Sequence, residues 1–144
     1  LWEHLVSLGF VYDTSLFPFK TNMYGSSSYN VSPFPISQEL IEIPPAIFKR
    51  GCFRIPYGGG FYFRLYPLWL TNIMMKREIN DSKVPVLYFH PWDFEPASVM
   101  LEKGFFNQFI GNYNVAKNWT KFDSLIADIP TSTCLNYYEH IKMS

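Results

Sequence analysis

The stretch VPVLYFHPWDF, residues 84–94, runs an apolar segment directly into a histidine, a proline, a tryptophan and an acid. A short apolar run bounded by turn residues predicts a buried strand, here over 85–90, that ends on His90. In folds that alternate parallel strands with helices, ligands bind at the carboxyl ends of the strands. His90 is therefore the first candidate for a functional side chain.

A second predicted strand, FVYD over 10–13, ends on Asp13. Both strand ends are expected at the same rim, where a carboxylate beside an imidazole favours its protonated form and fixes its tautomer, as a general acid requires. We expect a carboxylate oxygen of Asp13 within about 4 Å of a ring nitrogen of His90. For each residue alone, a structural histidine and a turn-forming aspartate remain the alternatives.

The order of the other elements predicts an α/β domain with parallel pairing. A helix over 1–8 is followed, after FVYD, by a long loop over 14–39 and by a strand over 40–48 that Pro44-Pro45 must end. Pro67 marks the start of a helix that continues to residue 80, and the tail over 131–144 is read as a strand and a short helix. A last clear helix over 115–129 places four apolar side chains on one face: Val115, Trp119, Phe122 and Ile126.

Three consecutive glycines, Gly58, Gly59 and Gly60, lead into an aromatic segment that ends on Arg64. The sequence predicts no helix after them at the spacing of a phosphate loop, and they lack the Lys-Ser/Thr of that motif. Two interpretations stay open: the glycines let the backbone approach a substrate, or they only form a turn. We expect the turn at the rim that carries His90, with Arg64 directed toward a carboxylate or the groove.

Composition excludes several classes of function. The 12 basic and 12 acidic residues cancel, so no basic field exists to attract nucleic acid. No apolar run reaches the ~18 residues of a membrane span, so a soluble protein is expected. The two cysteines and three histidines share no ligand spacing, so the sequence predicts no metal site within this chain. No serine lies in a G-x-S-x-G elbow, so a triad hydrolase has no support.

The aromatic fraction is 19%, which is high for a single domain. Aromatic side chains fill cores or stack on flat ligand faces, and sugars present such faces. Core filling accounts for most of them.

Three segments in this order, LGFVYDTSLFP, IPYGGGFYFRLYP and VLYFHPWDFEP, resemble the polysaccharide deacetylases of the NodB-homology class, carbohydrate esterase family 4. The resemblance is closer to the subgroup with a C-terminal extension that is associated with bacterial exopolysaccharide and exosortase loci. FNQFIGNYNVAKNWTKFDSLIADI is similar to the start and helix of that extension. The resemblance covers roughly residues 4–130.

The resemblance implies a distorted (β/α) barrel that removes N-acetyl groups from a glycan with a divalent metal, usually zinc. It places His90 at the catalytic histidine that protonates the leaving amine, and Asp13 at the acid that orients it. Tyr88 or Leu87 would line the acetyl pocket, and Trp92 the glycan rim. Gly59, Gly60 and Arg64 complete the expected substrate contacts.

One departure from the family limits this expectation. The TFDDG-like and HxxH-like motifs, which carry the metal ligands and the base, are absent from this sequence. The resemblance therefore implies the C-terminal part of such an enzyme, with a partial barrel over 1–100 and a helical extension over 101–144, inactive alone and without a cofactor of its own. It also implies a soluble bacterial protein of the cytoplasm or the cell envelope.

Two expectations about partners and two alternative functions follow. The partner is an N-acetylated polysaccharide, and the open sheet edges of a cut barrel invite self-association. A non-catalytic glycan-binding or structural domain on the same scaffold is the main alternative function. A complete small hydrolase of unknown type is the second.

Overall fold

The computed structural model describes residues 1–21, 24–95 and 105–143. These residues form a mixed helix and strand structure with two small sheets, and the strands do not close into a barrel within the described ranges. The helices are α1 (Trp2–Ser7), α2 (Gly60–Leu65), α3 (Leu68–Asn80), α4 (Phe105–Asn112), α5 (Asn118–Asp128) and α6 (Cys134–Met143). The strands are β1 (Tyr12–Asp13), β2 (Phe34–Pro35), β3 (Ile41–Glu42), β4 (Ile47–Arg50) and β5 (Phe53–Pro56).

The first sheet has the order β1-β3-β2, with β1 parallel and β2 antiparallel to β3. Tyr12 lies opposite Ile41 and Asp13 lies opposite Glu42, so two acids end the parallel pair side by side. The second sheet is the antiparallel hairpin of β4 and β5. Its two strands follow the Pro44-Pro45 pair, which ends the first sheet as predicted because proline offers no N–H to a ladder.

The segment over 84–90 is extended, but it joins its neighbours through single hydrogen bonds instead of a continuous ladder. Ala46 N–H donates to the Val86 carbonyl at 2.8 Å, and Tyr88 N–H donates to the Gly58 carbonyl at 2.8 Å. One parallel bridge pairs Gly59 with Tyr88. The predicted strand that ends on His90 is therefore reduced to a bridged, extended segment.

Two clusters of buried side chains hold the structure together. The larger contains Tyr57, Phe63, Met74, Met75 and Leu125 with Ala46, and the smaller contains Ile43, Val86 and Tyr138. Leu125 of α5 and Tyr138 of α6 thus share their cores with residues from the first part of the chain. The predicted boundary at residues 100 and 101 lies outside the described residues.

The buried face of the helix over 118–128 is not the face that the sequence predicts. The fully buried residues of α5 are Asn118 and Leu125, whereas Trp119 and Ile126 are exposed. A separate 3-10 turn over Val115–Lys117 precedes α5, with Asn114 in the left-handed region. The turn breaks the helical phase between Val115 and the later residues, so a single face fitted across 115–129 is wrong.

Candidate functional site

His90 and Trp92 form an exposed stack at the end of the extended segment. Their ring centroids lie 4.3 Å apart with the planes only 13° from parallel, and Trp92 is 52% exposed. The Tyr88 ring meets the His90 ring edge-on at 5.9 Å. An imidazole on an exposed indole face combines a group that can carry a proton with a flat apolar surface of the kind that binds sugar rings.

Asp93 fixes the backbone that carries this stack. Residues Pro91–Asp93 form a single 3-10 turn, in which the His90 N–H donates to Asp93 Oδ2 at 3.0 Å and the Asp93 N–H donates to the His90 carbonyl at 2.9 Å. The Asn118 amide donates to the Asp93 carbonyl at 3.0 Å. The turn therefore holds both the N–H and the carbonyl of His90 in hydrogen bonds. These bonds fix the backbone from which the imidazole extends.

Arg64 is directed toward a carboxylate, and that carboxylate belongs to Asp93. Arg64 Nη2 lies 3.2 Å from Asp93 Oδ1, and both side chains are almost fully buried. Arg64 Nη1 also donates to the carbonyls of Gly111 and Tyr113. Burial lowers the pKa of Arg64, and the attraction of Asp93 opposes that shift. Arg64 thus links α2, the His90 turn and the end of α4.

Asp93 is the residue that the sequence analysis missed. A buried arginine requires an acidic partner, but the burial of Arg64 is not visible in the sequence, so the sequence alone gives no direct signal for Asp93.

The glycine turn lies beside Tyr88, two residues before His90, as expected from the sequence. A Cβ at Gly59 would stand 1.8 Å from the Tyr88 carbonyl oxygen, and one at Gly60 would stand 3.3 Å from the Tyr88 hydroxyl. Only a glycine permits the first approach. A helix does follow the glycines, because α2 begins at Gly60 with Gly59 as its N-cap, but the segment lacks the Lys-Ser/Thr of a phosphate loop.

The described part of the predicted loop before β2, residues 14–21 and 24–33, here called the aromatic loop, packs on the same turn through its aromatic residues. β2 at Phe34–Pro35 interrupts the loop predicted over 14–39. Phe17 stacks on Tyr62 with centroids 6.1 Å apart, and it contacts Tyr24 at 5.3 Å. Arg54 Nη1 donates to the carbonyls of Pro18 and Tyr29 at 2.9 and 2.8 Å, which ties the loop to β5. The aromatic loop therefore forms one wall beside the α2 start.

Tyr88 and Leu87 lie in different surroundings, because successive residues of an extended segment point to opposite sides. Burial raises the pKa of Tyr88, and the phenol of Tyr24 and the carboxylate of Asp93 raise it further, so Tyr88 remains a hydrogen-bond donor. Leu87 packs against the larger core cluster and, with Phe89, lines an apolar cavity of about 580 Å³. Of the two, only Tyr88 contacts the His90 ring.

Asp13 is not paired with His90. Its carboxylate accepts the Thr14 N–H at 2.9 Å and the Ser15 hydroxyl at 2.7 Å, and within the described part of the chain no hydrogen bond or ion pair joins it to His90. The reason is local: the short Asp-Thr-Ser turn satisfies the carboxylate where β1 ends. The expected Asp13–His90 contact is therefore not formed.

The acid that lies opposite Asp13 is buried. Glu42 is fully buried, its Oε1 accepts the Leu16 N–H at 2.8 Å, and its Oε2 has no hydrogen-bond partner. Burial raises the pKa of Glu42, the Leu16 hydrogen bond opposes the rise, and the charge of Asp13 adds to it. The sequence does not single out Glu42. The alternation of apolar and polar residues in LIEIPP predicts that the polar Glu42 lies on the exposed face of the strand.

The described residues do not fit the metal that the family resemblance implies. Across 1–21, 24–95 and 105–143, no group of three or more His, Cys, Asp or Glu side chains is placed to hold an ion. His90 has Tyr88 and Trp92 as its ring neighbours, and neither is a metal ligand of the expected kind.

The fold and the site together define a small mixed α and β domain with an exposed imidazole-indole surface. The family model of the domain of unknown function DUF3473 matches residues 14–139, and the chain belongs to this family. The matched range contains the aromatic loop, the glycine turn, the His90 turn and the helices that pack on them. No curated protein and no solved structure matches the chain significantly. Within the described residues, no helix has the length and apolar character needed to cross a membrane.

Proposed function

We propose that this chain is the C-terminal part of a polysaccharide deacetylase, a partial barrel of that type, and that His90 serves there as the general acid. The observation that carries the proposal is the exposed His90–Trp92 stack, held by Asp93 beside a glycine turn that only glycine can form. The family is known as a domain associated with polysaccharide deacetylases. The metal that such an enzyme uses would be held by residues outside those described.

In the proposed reaction, water gives a proton to a base that, like the metal, would be held by residues outside those described, and its oxygen attacks the carbonyl carbon of an N-acetyl group to form a tetrahedral intermediate. The C–N bond then breaks, and the nitrogen takes a proton from the imidazolium of His90 so that the sugar amine departs neutral and acetate remains. Trp92 offers its indole face to the sugar ring that carries the group. Asp93 acts through the backbone of His90 and is a positioning residue.

The test measures acetate release from an oligomer of N-acetylglucosamine by the full-length gene product. His90→Ala is expected to lower turnover by about 100-fold or more, the typical loss for a general acid. His4→Ala, which changes an exposed histidine of α1, is the matched control and keeps the wild-type rate. Wild-type turnover for His90→Ala contradicts the assignment.

A non-catalytic glycan-binding module is the second candidate. It is favoured because, among the described residues, Asp13 and His90 do not pair with each other. Both Trp92 and Tyr24 are 52% exposed, which suits a surface that binds sugars without cleaving them. In that case the full-length gene product releases no acetate, and Trp92→Ala on the 144-residue chain weakens binding of the same oligomer. The two candidates therefore differ in acetate release by the wild type, while both predict loss of binding for Trp92→Ala.

A further inference from the structure

A second cavity, of about 450 Å³, lies between the end of α2, the start of α3 and the start of α5. Its wall contains three basic residues and no acidic residue: Arg64, Lys117 and Lys121. The remaining polar wall is neutral and rich in donors, from Tyr66, Asn114, Asn118, Thr120 and Ser124. The charge of Arg64 is paired with Asp93, so the two lysines leave the cavity with an excess of positive charge.

A buried donor of this wall lacks a partner. Among the described residues, the Nε of buried Arg64 donates no hydrogen bond. Leaving a buried donor unsatisfied is unfavourable, so this group points to a missing acceptor. An N–H of Arg64 is the type of donor that carboxylate and phosphate oxygens accept.

Lys121 supplies a third feature of the same cavity. Its ammonium group donates to the carbonyls of Phe63 and Tyr66 and lies 4.0 Å from the centroid of the Phe63 ring. An ammonium group has three donors, so one remains after these two bonds. Burial lowers the pKa of Lys121 to about 8. The lysine is therefore held in place by the protein and lacks an anionic partner among the wall residues.

The start of α5 adds a favourable dipole. The first residue of the 11-residue helix is Asn118, and no side chain caps its N-terminus. A backbone N–H at this junction already donates to the Val115 carbonyl of the preceding 3-10 turn, so the contribution of α5 is its dipole, which favours a negative charge at this end.

We propose that this cavity binds one small oxyanion, with the chemistry of a carboxylate or a phosphate, between Lys117, Lys121 and the start of α5. The site is separate from the His90–Trp92 surface, and the proposal does not depend on the deacetylase function. The anion supplies negative charge beside the two lysines and an acceptor for the Arg64 Nε–H and for the remaining donor of Lys121.

The test is a titration of the 144-residue chain with inorganic phosphate and, separately, with sodium glucuronate, at constant ionic strength. Binding is followed by amide chemical shifts in the nuclear magnetic resonance spectrum. Saturable shifts over residues 114–121 are the expected result for at least one of the two anions. Saturation by phosphate alone assigns a phosphate site, and saturation by glucuronate alone assigns a carboxylate site.

Lys117→Glu is the decisive variant, because Lys117 is exposed and forms part of the wall. Replacing an attraction by a repulsion is expected to weaken binding by about 10-fold or more, which corresponds to about 1.4 kcal/mol or more. Lys76→Glu, on the exposed side of α3 and away from the wall, keeps the wild-type affinity. Shifts that do not saturate with either anion, or equal affinity in Lys117→Glu and wild type, overturn the proposal.

Discussion

Arg64 and Asp93 form a buried ion pair, with Nη2 and Oδ1 3.2 Å apart and the two side chains 3% and 2% exposed. The pair joins α2 to the turn that carries His90, because the other oxygen of Asp93 accepts the His90 N–H. A pair of this kind is weak as a source of stability, but breaking it leaves one charge buried and alone. The position of His90 therefore depends on a contact that is invisible at the surface.

Asp93→Ala is expected to lower the free energy of unfolding by about 3–5 kcal/mol, because Arg64 then keeps an unpaired buried charge. Urea denaturation of the 144-residue chain measures the loss. Asp123→Ala removes an exposed acid of α5 and is expected to stay within about 0.5 kcal/mol of wild type. Equal losses for the two variants contradict the importance of the pair.

Gly59→Ala is expected to be the most damaging change in the glycine turn. Its Cβ would lie 1.8 Å from the carbonyl oxygen of Tyr88, so the backbone must move and the Gly59–Tyr88 bridge must break. Gly51→Ala is the matched control, because Gly51 has a φ of 59° but no atom within 4 Å of the added Cβ. It costs only the left-handed conformation, about 1–2 kcal/mol.

Equilibrium unfolding of both glycine variants checks this difference. The Gly59→Ala loss exceeds that of Gly51→Ala, and the Tyr88 and His90 amide shifts change only in Gly59→Ala. If Gly51→Ala proves the more destabilising variant, the close approach of the Tyr88 carbonyl is not the reason that position 59 requires glycine.

Glu42→Gln is expected to stabilise the protein at neutral pH. Glutamine keeps an oxygen that accepts the Leu16 N–H, and it removes a fully buried charge. Because burial raises the pKa of Glu42 in the folded state, its contribution to stability is present below the unfolded value and is lost as pH rises through the folded value. The advantage of the glutamine variant therefore grows with pH and is smallest in acid.

Urea denaturation at a series of pH values between about 4 and 8 measures the advantage of Glu42→Gln. Glu39→Gln, at an exposed position three residues earlier, is the control and shows a flat difference from wild type. A stability difference that does not depend on pH in Glu42→Gln would mean that the carboxyl does not titrate with folding.

The sequence predicts well those features that local chemistry determines. Pro67 precedes the start of α3 and Pro44-Pro45 ends the first sheet, because proline fixes φ and removes an N–H wherever it occurs. The glycine turn, expected at the rim that carries His90, pairs with Tyr88, and glycine suits this position because it has no Cβ. The helix that begins at Gly60 is not predicted from the sequence, because glycine is a poor helix former.

The features that the sequence does not predict depend on distant contacts. Asp93 lies 29 positions after Arg64, and neither residue alone indicates that they pair. The Asp13–His90 contact was expected only because both residues end strands, yet Thr14 and Ser15 satisfy Asp13 locally. Two residues that end strands at the same rim need not be in contact. A buried charge such as that of Arg64 is stronger support for a contact, because it requires a partner.

Lys121 is expected to give the protein a stability that increases with pH in mildly alkaline solution. Its pKa is lowered by burial from 10.5 to about 8, so above pH 8 the unfolded chain binds this proton more often than the folded chain. The free energy of unfolding then rises as pH increases toward the unfolded pKa. Burial raises the pKa of Tyr57 and of Tyr88, and these phenols withdraw stability only above their ordinary value of 10. Urea denaturation between about pH 7.5 and 9.5 therefore measures the contribution of the lysine to the pH dependence.

Lys121→Met is expected to be less stable overall, because two backbone carbonyls lose their donor, and to lose the upward slope. Lys117→Met changes the exposed lysine of the same cavity and retains the slope. A slope that persists in Lys121→Met would show that another group releases the proton and that Lys121 is not the buried cation of this cavity.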